Sequence, residues 1–369
     1  MEELTCVLKT ISNGKAPGLD NIPAEIWKTG EFNQELLDMC NAVYNQKGID
    51  RWTQGCILPF PKKGVLGYTN NYHGITLTTI SAKIYNLFLN RIRPKMESIH
   101  RNQNGFRQNR GTTGQILTVR RIIEGVKAKH LQSILLFIDF SKAFDSIHRG
   151  KMQQILIAYG IPQATVSAIM ILYKNTKSMV RTPDGDTDFF DILAGVLQGD
   201  TLAPYLFVIC LDYVLRTSAD AHKKLGFTLS KARSKRYPEE KITDVDYADD
   251  LAIITDNVAN AVKLLHEIED AACSIGLYVN ADKTKFINYN NNNDTIKTLT
   301  GKDIKNVNEF VYLGSNIAST EKDVDTRLGK AWGALNGLGK IWKSDLSLDI
   351  KCIFFRAIVE SVLIYGATT

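Results

Sequence analysis

The chain has 369 residues, 44 % hydrophobic and 23 % charged, with a net charge of +6. This length supports a large core and two or three subdomains, and the composition is that of an ordinary globular protein. No apolar run reaches the roughly 18 residues of a membrane span, and the opening "MEELTCVLKT" lacks the basic start and apolar stretch of a secretory signal. An intracellular protein, nuclear or cytoplasmic, is the expectation.

Before Ser133 the pattern reads as mostly helical. In "SAKIYNLFLNRI", Ile84, Leu87, Phe88 and Ile92 recur at three and four residues, with Lys83, Asn86, Asn90 and Arg91 outside the stripe. The same region is basic: Lys62, Lys63, Lys83, Arg91, Arg93, Lys95, Arg101, Arg107, Arg110, Arg120 and Arg121 stand against one acid, Glu97. Such a concentration attracts a polyanion, and a solvated face is the other reading. The cysteines (Cys6, Cys40, Cys56, Cys210, Cys273, Cys352) are widely and irregularly spaced, which argues against a zinc site or a disulfide framework.

At 134 the period changes. "ILLFIDF" is a short β-leaning run with Asp139 near its end. Helical texture returns from about 149 to 175, and "TPDGDTDFFDI" offers a turn between two short strands. "GDTLAPYLFVICLDYVL" starts a helix that Asp200 or Thr201 can cap, with a stripe of Leu206, Ile209, Cys210, Tyr213 and Val214. The segment "KKLGFTLSKARSKRYPEEK" is a second basic cluster, read as a solvated hairpin tip, an RNA contact or a nuclear address. "KITDVDYADDLAIIT" predicts strand, tight turn and strand, "VKLLHEIEDAACSIG" a helix closed by Gly276, and "LYVN" a further strand. The order implies an α+β fold, one antiparallel sheet with helices packed on one face.

The turn "YADD" sets Asp249 and Asp250 side by side among Val245, Tyr247, Leu251, Ile253 and Ile254. Like charges at short range resist joint ionisation unless a cation neutralises them. If the strand ending in Asp139 pairs with this hairpin, the acids form a hard-oxygen site suited to Mg²⁺. A pair of such ions serves phosphoryl transfer by activating the attacking oxygen and stabilising the leaving one. The alternative is that these aspartates cap turns. The six histidines show no metal-ligand spacing.

"FIDFSKAFD", "GVLQGDTLAPYLF", "YADD", "GLYVNADKTK" and "FVYLG" follow the order and spacing of reverse transcriptases, and the sequence most resembles those of non-LTR (LINE-like) retrotransposons. Upstream, "NGKAPGLDNIPAEIWK", "NNYHGITLTTISAKI" and "NQNGFRQNRGT" resemble the additional N-terminal motifs of these elements. The resemblance implies a right-hand polymerase whose reverse transcriptase domain covers about 55–318. Residues 1–65 would extend the fingers, 66–130 and 149–195 form the fingers, 131–148 and 196–318 the palm with an antiparallel sheet, and 319–369 the start of a truncated thumb. It implies an RNA-directed DNA polymerase using two Mg²⁺ ions, or Mn²⁺, with template RNA, DNA primer and deoxynucleoside triphosphates as partners. No protein partner is predicted.

By the same resemblance, Asp139 and Asp249 are metal ligands, with Asp250 the neighbouring carboxylate. Lys283 matches the lysine that protonates the departing pyrophosphate. Phe144 is the ring beneath the incoming sugar that favours deoxynucleotides; packing in the core is its other reading. Gln198 and Gly199 fall in the loop that contacts nucleotide and template, and Arg107 grips a phosphate. Lys62, Lys63 and Arg110 are template or primer contacts, and Tyr312 and Gly314 belong to the turn supporting the primer end. One departure is His73, where the family has arginine; histidine lacks the bidentate fork and is mostly neutral near pH 7. This departure and the short C-terminal end leave a second reading, a catalytically silent nucleic-acid-binding derivative. An RNA-dependent RNA polymerase is disfavoured by Phe144.

Overall fold

The structure is a computed structural model describing residues 1–62, 64–197, 199–219, 221–290 and 295–367. Met1–His100, Phe140–Thr217 and Asp270–Tyr278 form one compact unit, and Arg101–Asp139, Ser218–Glu269 and Val279–Thr369 a second. Alpha and beta elements are mixed in both.

In the first unit, strand Gln54–Pro61 pairs antiparallel with Tyr72–Leu77 and parallel with Lys177–Thr182. The stretch before Ser133 is therefore not helical throughout. Pro59 and Pro61 mask the strand from pattern reading, because proline cannot donate to a ladder. Pairing with Lys177–Thr182 ends at Ile57, so both prolines lie on a stretch bonded on one side only. Helix Ile80–Leu89 is capped by Thr79, whose hydroxyl accepts from the Ala82 N–H at 3.3 Å. Its buried face is Ile80, Ile84, Tyr85, Asn86 and Leu89, whereas Leu87 and Phe88 are only half-buried. Of the expected stripe Ile84 and Ile92 are buried as predicted; the α-helix itself ends at Leu89, and tighter turns carry the chain through Pro94 to Ser98. Asn86 is buried because its Nδ2 donates to Asp200 Oδ1 at 2.6 Å.

Helix Ala203–Thr217 buries Leu206, Ile209, Cys210 and Val214 as its stripe predicts, and also Phe207, Val208, Leu211 and Leu215. A helix apolar all round belongs inside a core. Just ahead of this helix Asp200 Oδ1 accepts from the Leu202 N–H at 3.2 Å, a local turn leading into it.

The second unit is built on a six-stranded sheet in the order Ile296–Lys297, Asp303–Asn306, Lys285–Tyr289, Ser133–Ile138, Asp250–Thr255 and Asp244–Tyr247. Strand Ser133–Ile138 has antiparallel partners on both sides. All six of its residues are buried, as a short apolar run without alternation predicts. Leu135, Phe137, Ala252, Ile254 and Ile287 join Val119, Ile122, Ile123 and Val126 of helix Thr112–Ala128 in one apolar cluster.

Three expectations change here. The sheet is mixed, since Lys285–Tyr289 runs parallel to Asp303–Asn306. Ile134, Leu136, Ile253 and Phe286, on the other face, are equally buried, so neither face is open to water. The strand expected at "LYVN" lies further on, at Lys285–Tyr289; residues 277–280 form no strand segment and precede a turn at 281–283, and the Asn280 N–H donates to Asp139 O at 2.8 Å. Strand Phe227–Ser230 pairs with Glu240–Ile242, leaving 231–239 as an exposed loop with Lys231, Arg233, Lys235 and Arg236.

Candidate active site

The acid pair belongs to a two-residue turn. Asp250 pairs with Tyr247 at the mouth of the hairpin, so Ala248 and Asp249 form the loop, with Ala248 in the left-handed region at φ +53°. Along the neighbouring ladder Leu251 faces Ile138, and one further step sets Asp250 opposite Asp139. Directly opposed residues of antiparallel strands lie about 4.5–5.5 Å apart. On the other side Lys285 faces Phe137, and the turn at 281–283 just before that strand carries Lys283 to the same strand end. Sheet register therefore brings Asp139 and Asp250, 111 positions apart in sequence, to one strand end.

Lys283 Nζ stands 3.5 Å from Asp139 Oδ1. Asp139 is fixed through its backbone: its N–H donates to Thr284 Oγ1 at 3.2 Å and its carbonyl accepts from Asn280. Partial removal from water, then Asp249, then Asp139, push the Asp250 carboxyl up to about 6. Asp249 is also raised, by burial first and by Asp139, against a backbone hydrogen bond and Lys283 that lower it. Crowded carboxylates of raised pKa are groups that a divalent cation would relieve. Asp139 Oδ1 is shielded from water and, among the described residues, accepts no hydrogen bond, its ion-pair partner there being the Lys283 ammonium. A cavity of about 50 Å³ is lined by Asp139, Asp250, Lys283, Phe310 and Tyr312 among others, room for a cation with a few waters. The donor set, oxygen-only and anionic, fits Mg²⁺ or Mn²⁺.

Asp139, Asp249, Asp250 and Lys283 thus come together, and Tyr312 lines the same cavity. Tyr312 is 2 % exposed, its hydroxyl donating to Val245 O at 2.8 Å. Gly314 has φ +77°, and its carbonyl accepts from Arg327 Nη2. Arg107 is buried, and its Nη1 donates to Gln103 O at 3.2 Å. Arg110 is exposed and bonds to Asn104 Oδ1 and Arg101 O.

The remaining candidates lie in the first unit. His73 is exposed on strand Tyr72–Leu77 opposite Phe60, and Lys62 is exposed just beyond Gln54–Pro61. Gly199 has φ +102°, and a Cβ there would stand 2.6 Å from Thr76 O, so only glycine fits. Phe144 is half-buried and stacks on Phe207, centroids 4.3 Å apart. Lys63 and Gln198 lie outside the described residues. Sequence reading singled out neither Gln103 nor Arg120 and Asp323, buried groups around the turns of the second unit. Gly105 was the one available signal, because its backbone lies against Ala248.

A profile of the reverse transcriptase (RNA-dependent DNA polymerase) family matches residues 60–317. The chain belongs to this family, as a reverse transcriptase domain of the non-LTR retrotransposon kind. It is 25 % identical over 355 residues to the retrovirus-related Pol polyprotein from type-1 retrotransposable element R2 of Popillia japonica, covering 95 % of this chain and 47 % of that one. It is 30 % identical over 157 residues to the Pol polyprotein from type-2 retrotransposable element R2DM of Drosophila melanogaster, covering 42 % of this chain and 14 % of that one. A 149 kDa protein of transposon TX1 from Xenopus laevis is 22 % identical over 99 % of this chain and 28 % of its own length. The chain thus spans about half or less of these relatives. Among the described residues no helix is long and apolar enough to cross a membrane.

Proposed function

We propose that the chain is the RNA-directed DNA polymerase of a non-LTR retroelement, extending a DNA primer on an RNA template with deoxynucleoside triphosphates. The observation that carries this reading is the meeting of Asp139 with Asp249 and Asp250 beside Lys283. Asp139 and Asp249 would hold two Mg²⁺ ions, with Asp250 as the supporting carboxylate. Such ions would supply the positive charge that activates a primer hydroxyl and stabilises a departing pyrophosphate. Lys283 holds a proton at Nζ on the rim of the site, available to the leaving group. Phe144, kept in plane by its stack on Phe207, excludes a 2′-hydroxyl. In this reading Gly199 and Gln198 would serve nucleotide and template, Arg107 and His73 the phosphates, and Lys62, Lys63 and Arg110 the nucleic-acid backbone. Tyr312 and Gly314 support the primer end. The fold would be the right hand of polymerases, with palm 131–148 and 196–318, fingers 66–130 and 149–195 joined by 1–65, and a thumb beginning at 319.

Primer extension on an RNA template with Mg²⁺ tests the proposal. Wild-type protein incorporates deoxynucleotides, and Asp249→Ala abolishes incorporation while retaining RNA binding. RNA binding without incorporation by wild type would instead make the chain a silent nucleic-acid-binding derivative.

A further inference from the structure

Two loop residues of a tight hairpin have no ladder partners of their own, and one of them here, Ala248, is buried with a left-handed backbone. Its polar groups are satisfied by Gln103, which is fully buried. Gln103 Oε1 accepts from the Ala248 N–H at 2.7 Å, and Nε2 donates to the Ala248 carbonyl at 3.0 Å. The side-chain amide thus pairs with one peptide as a neighbouring strand would. The same oxygen accepts from the Gly105 N–H at 2.7 Å, which fixes the rotation of the amide.

The carrier of Gln103 is itself secured. The Asp246 N–H donates to Asn102 O at 3.1 Å, and the Asn104 N–H donates to Asp246 O at 3.0 Å. Gln115 Nε2 donates to that same Asp246 oxygen at 2.6 Å. A Cβ on Gly105 would stand 2.7 Å from Ala248 Cα, so the segment lies flush against the turn.

We propose that Gln103 is a positioning residue for the carboxylate pair, locking the left-handed conformation of Ala248 and thereby the direction in which Asp249 and Asp250 leave the turn. The inference rests on the metal-site reading of Asp139 and Asp249, because it assigns Gln103 a role through the turn and no contact with the reacting atoms. A residue in this conformation holds only where its surroundings over-determine it. Two hydrogen bonds from one side chain supply that constraint.

Two variants of the full chain separate this role from general packing. Gln103→Met keeps length and volume and removes the amide; Gln103→Glu keeps both acceptor interactions but sets a buried carboxylate oxygen against the Ala248 carbonyl in place of the donor. Hydrogen exchange measured on peptides spanning 247–250 is expected to quicken about tenfold in Gln103→Met and at least as much in Gln103→Glu, with exchange across 285–289 unchanged. Mn²⁺ affinity, read by electron paramagnetic resonance, is expected to weaken about tenfold, and kcat for deoxynucleotide incorporation to fall similarly with KM within about twofold. Unchanged exchange at 247–250 in both variants would overturn the clamp. Faster exchange with wild-type Mn²⁺ affinity and kcat would overturn its bearing on the site. The metal-site reading fails by a different result, full Mn²⁺ binding by Asp249→Ala, and in that case the exchange data still decide the clamp.

Discussion

Ala248, Gly105 and Asp200 each show a backbone or burial demand answered by one side chain. Gly105 has no room for a methyl group without displacing Ala248, so Gly105→Ala should lower stability by about 1–3 kcal/mol and slow incorporation, read by denaturant unfolding and primer extension. Burial raises Asp200 from 3.8 to about 6, against hydrogen bonds from Leu202, Asn86 and Thr201 and the charge of Lys83. Across that window the folded chain retains a proton that the unfolded chain has released. Stability at this site is therefore fullest below 3.8 and declines as pH rises toward 6, by about 1.4 kcal/mol per unit of pKa difference. Asp200→Asn should flatten that part of the stability profile, measured as Tm against pH. The sequence marked Asp200 and Thr201 as candidates at the start of a helix, and the structure places Asp200 in the turn just ahead of it. The burial of Asp200 was not legible, because that depends on Asn86, 114 positions away.

Among elements, the hairpin of Val311–Tyr312 and Ser315–Asn316 is held from two helices. Arg120 of helix Thr112–Ala128 donates through Nη2 to Ser315 Oγ at 2.9 Å, Asn316 O at 3.1 Å and Asp323 Oδ2 at 2.9 Å. Asp323, in helix Thr320–Gly337, accepts also from the Ser315 hydroxyl and the Asn316 N–H, each at 2.7 Å. Both charges are nearly buried, so removing one strands the other. Asp323→Ala should cost about 3–5 kcal/mol, whereas Arg120→Met with Asp323→Leu should cost much less; chemical denaturation of both variants checks this. Periodicity revealed the long helices and the hairpin of the acid pair, since each carries its pattern locally. It missed strand Gln54–Pro61, whose prolines break the signal, and it misplaced the strand at 285–289, because pairing with Ser133–Ile138 rather than local propensity decides which residues extend.

For the whole chain, the proposed polymerase reading and a net charge of +6 predict that any affinity for RNA is strongly salt-dependent. Lys231, Arg233, Lys235 and Arg236 are exposed on the loop between Phe227–Ser230 and Glu240–Ile242. Replacing all four with glutamine should leave Tm unchanged, since exposed side chains contribute little to stability. If any of them meets RNA phosphates, the slope of log affinity against log salt should shrink by about 0.7 for each lost contact on a single strand. A slope equal to that of wild type would restrict the loop to a solvated tip.

The family and the mixed α and β character were legible in the amino-acid order, and the acidic residues stood out there as candidates, because motif spacing and short-range periodicity are properties of neighbouring residues. The partner of Asp139, the burial of Asn86 on helix Ile80–Leu89 and the amide behind Ala248 were decided only when strands paired and buried polar groups found donors and acceptors. Those choices join residues more than a hundred positions apart, and no local pattern records them.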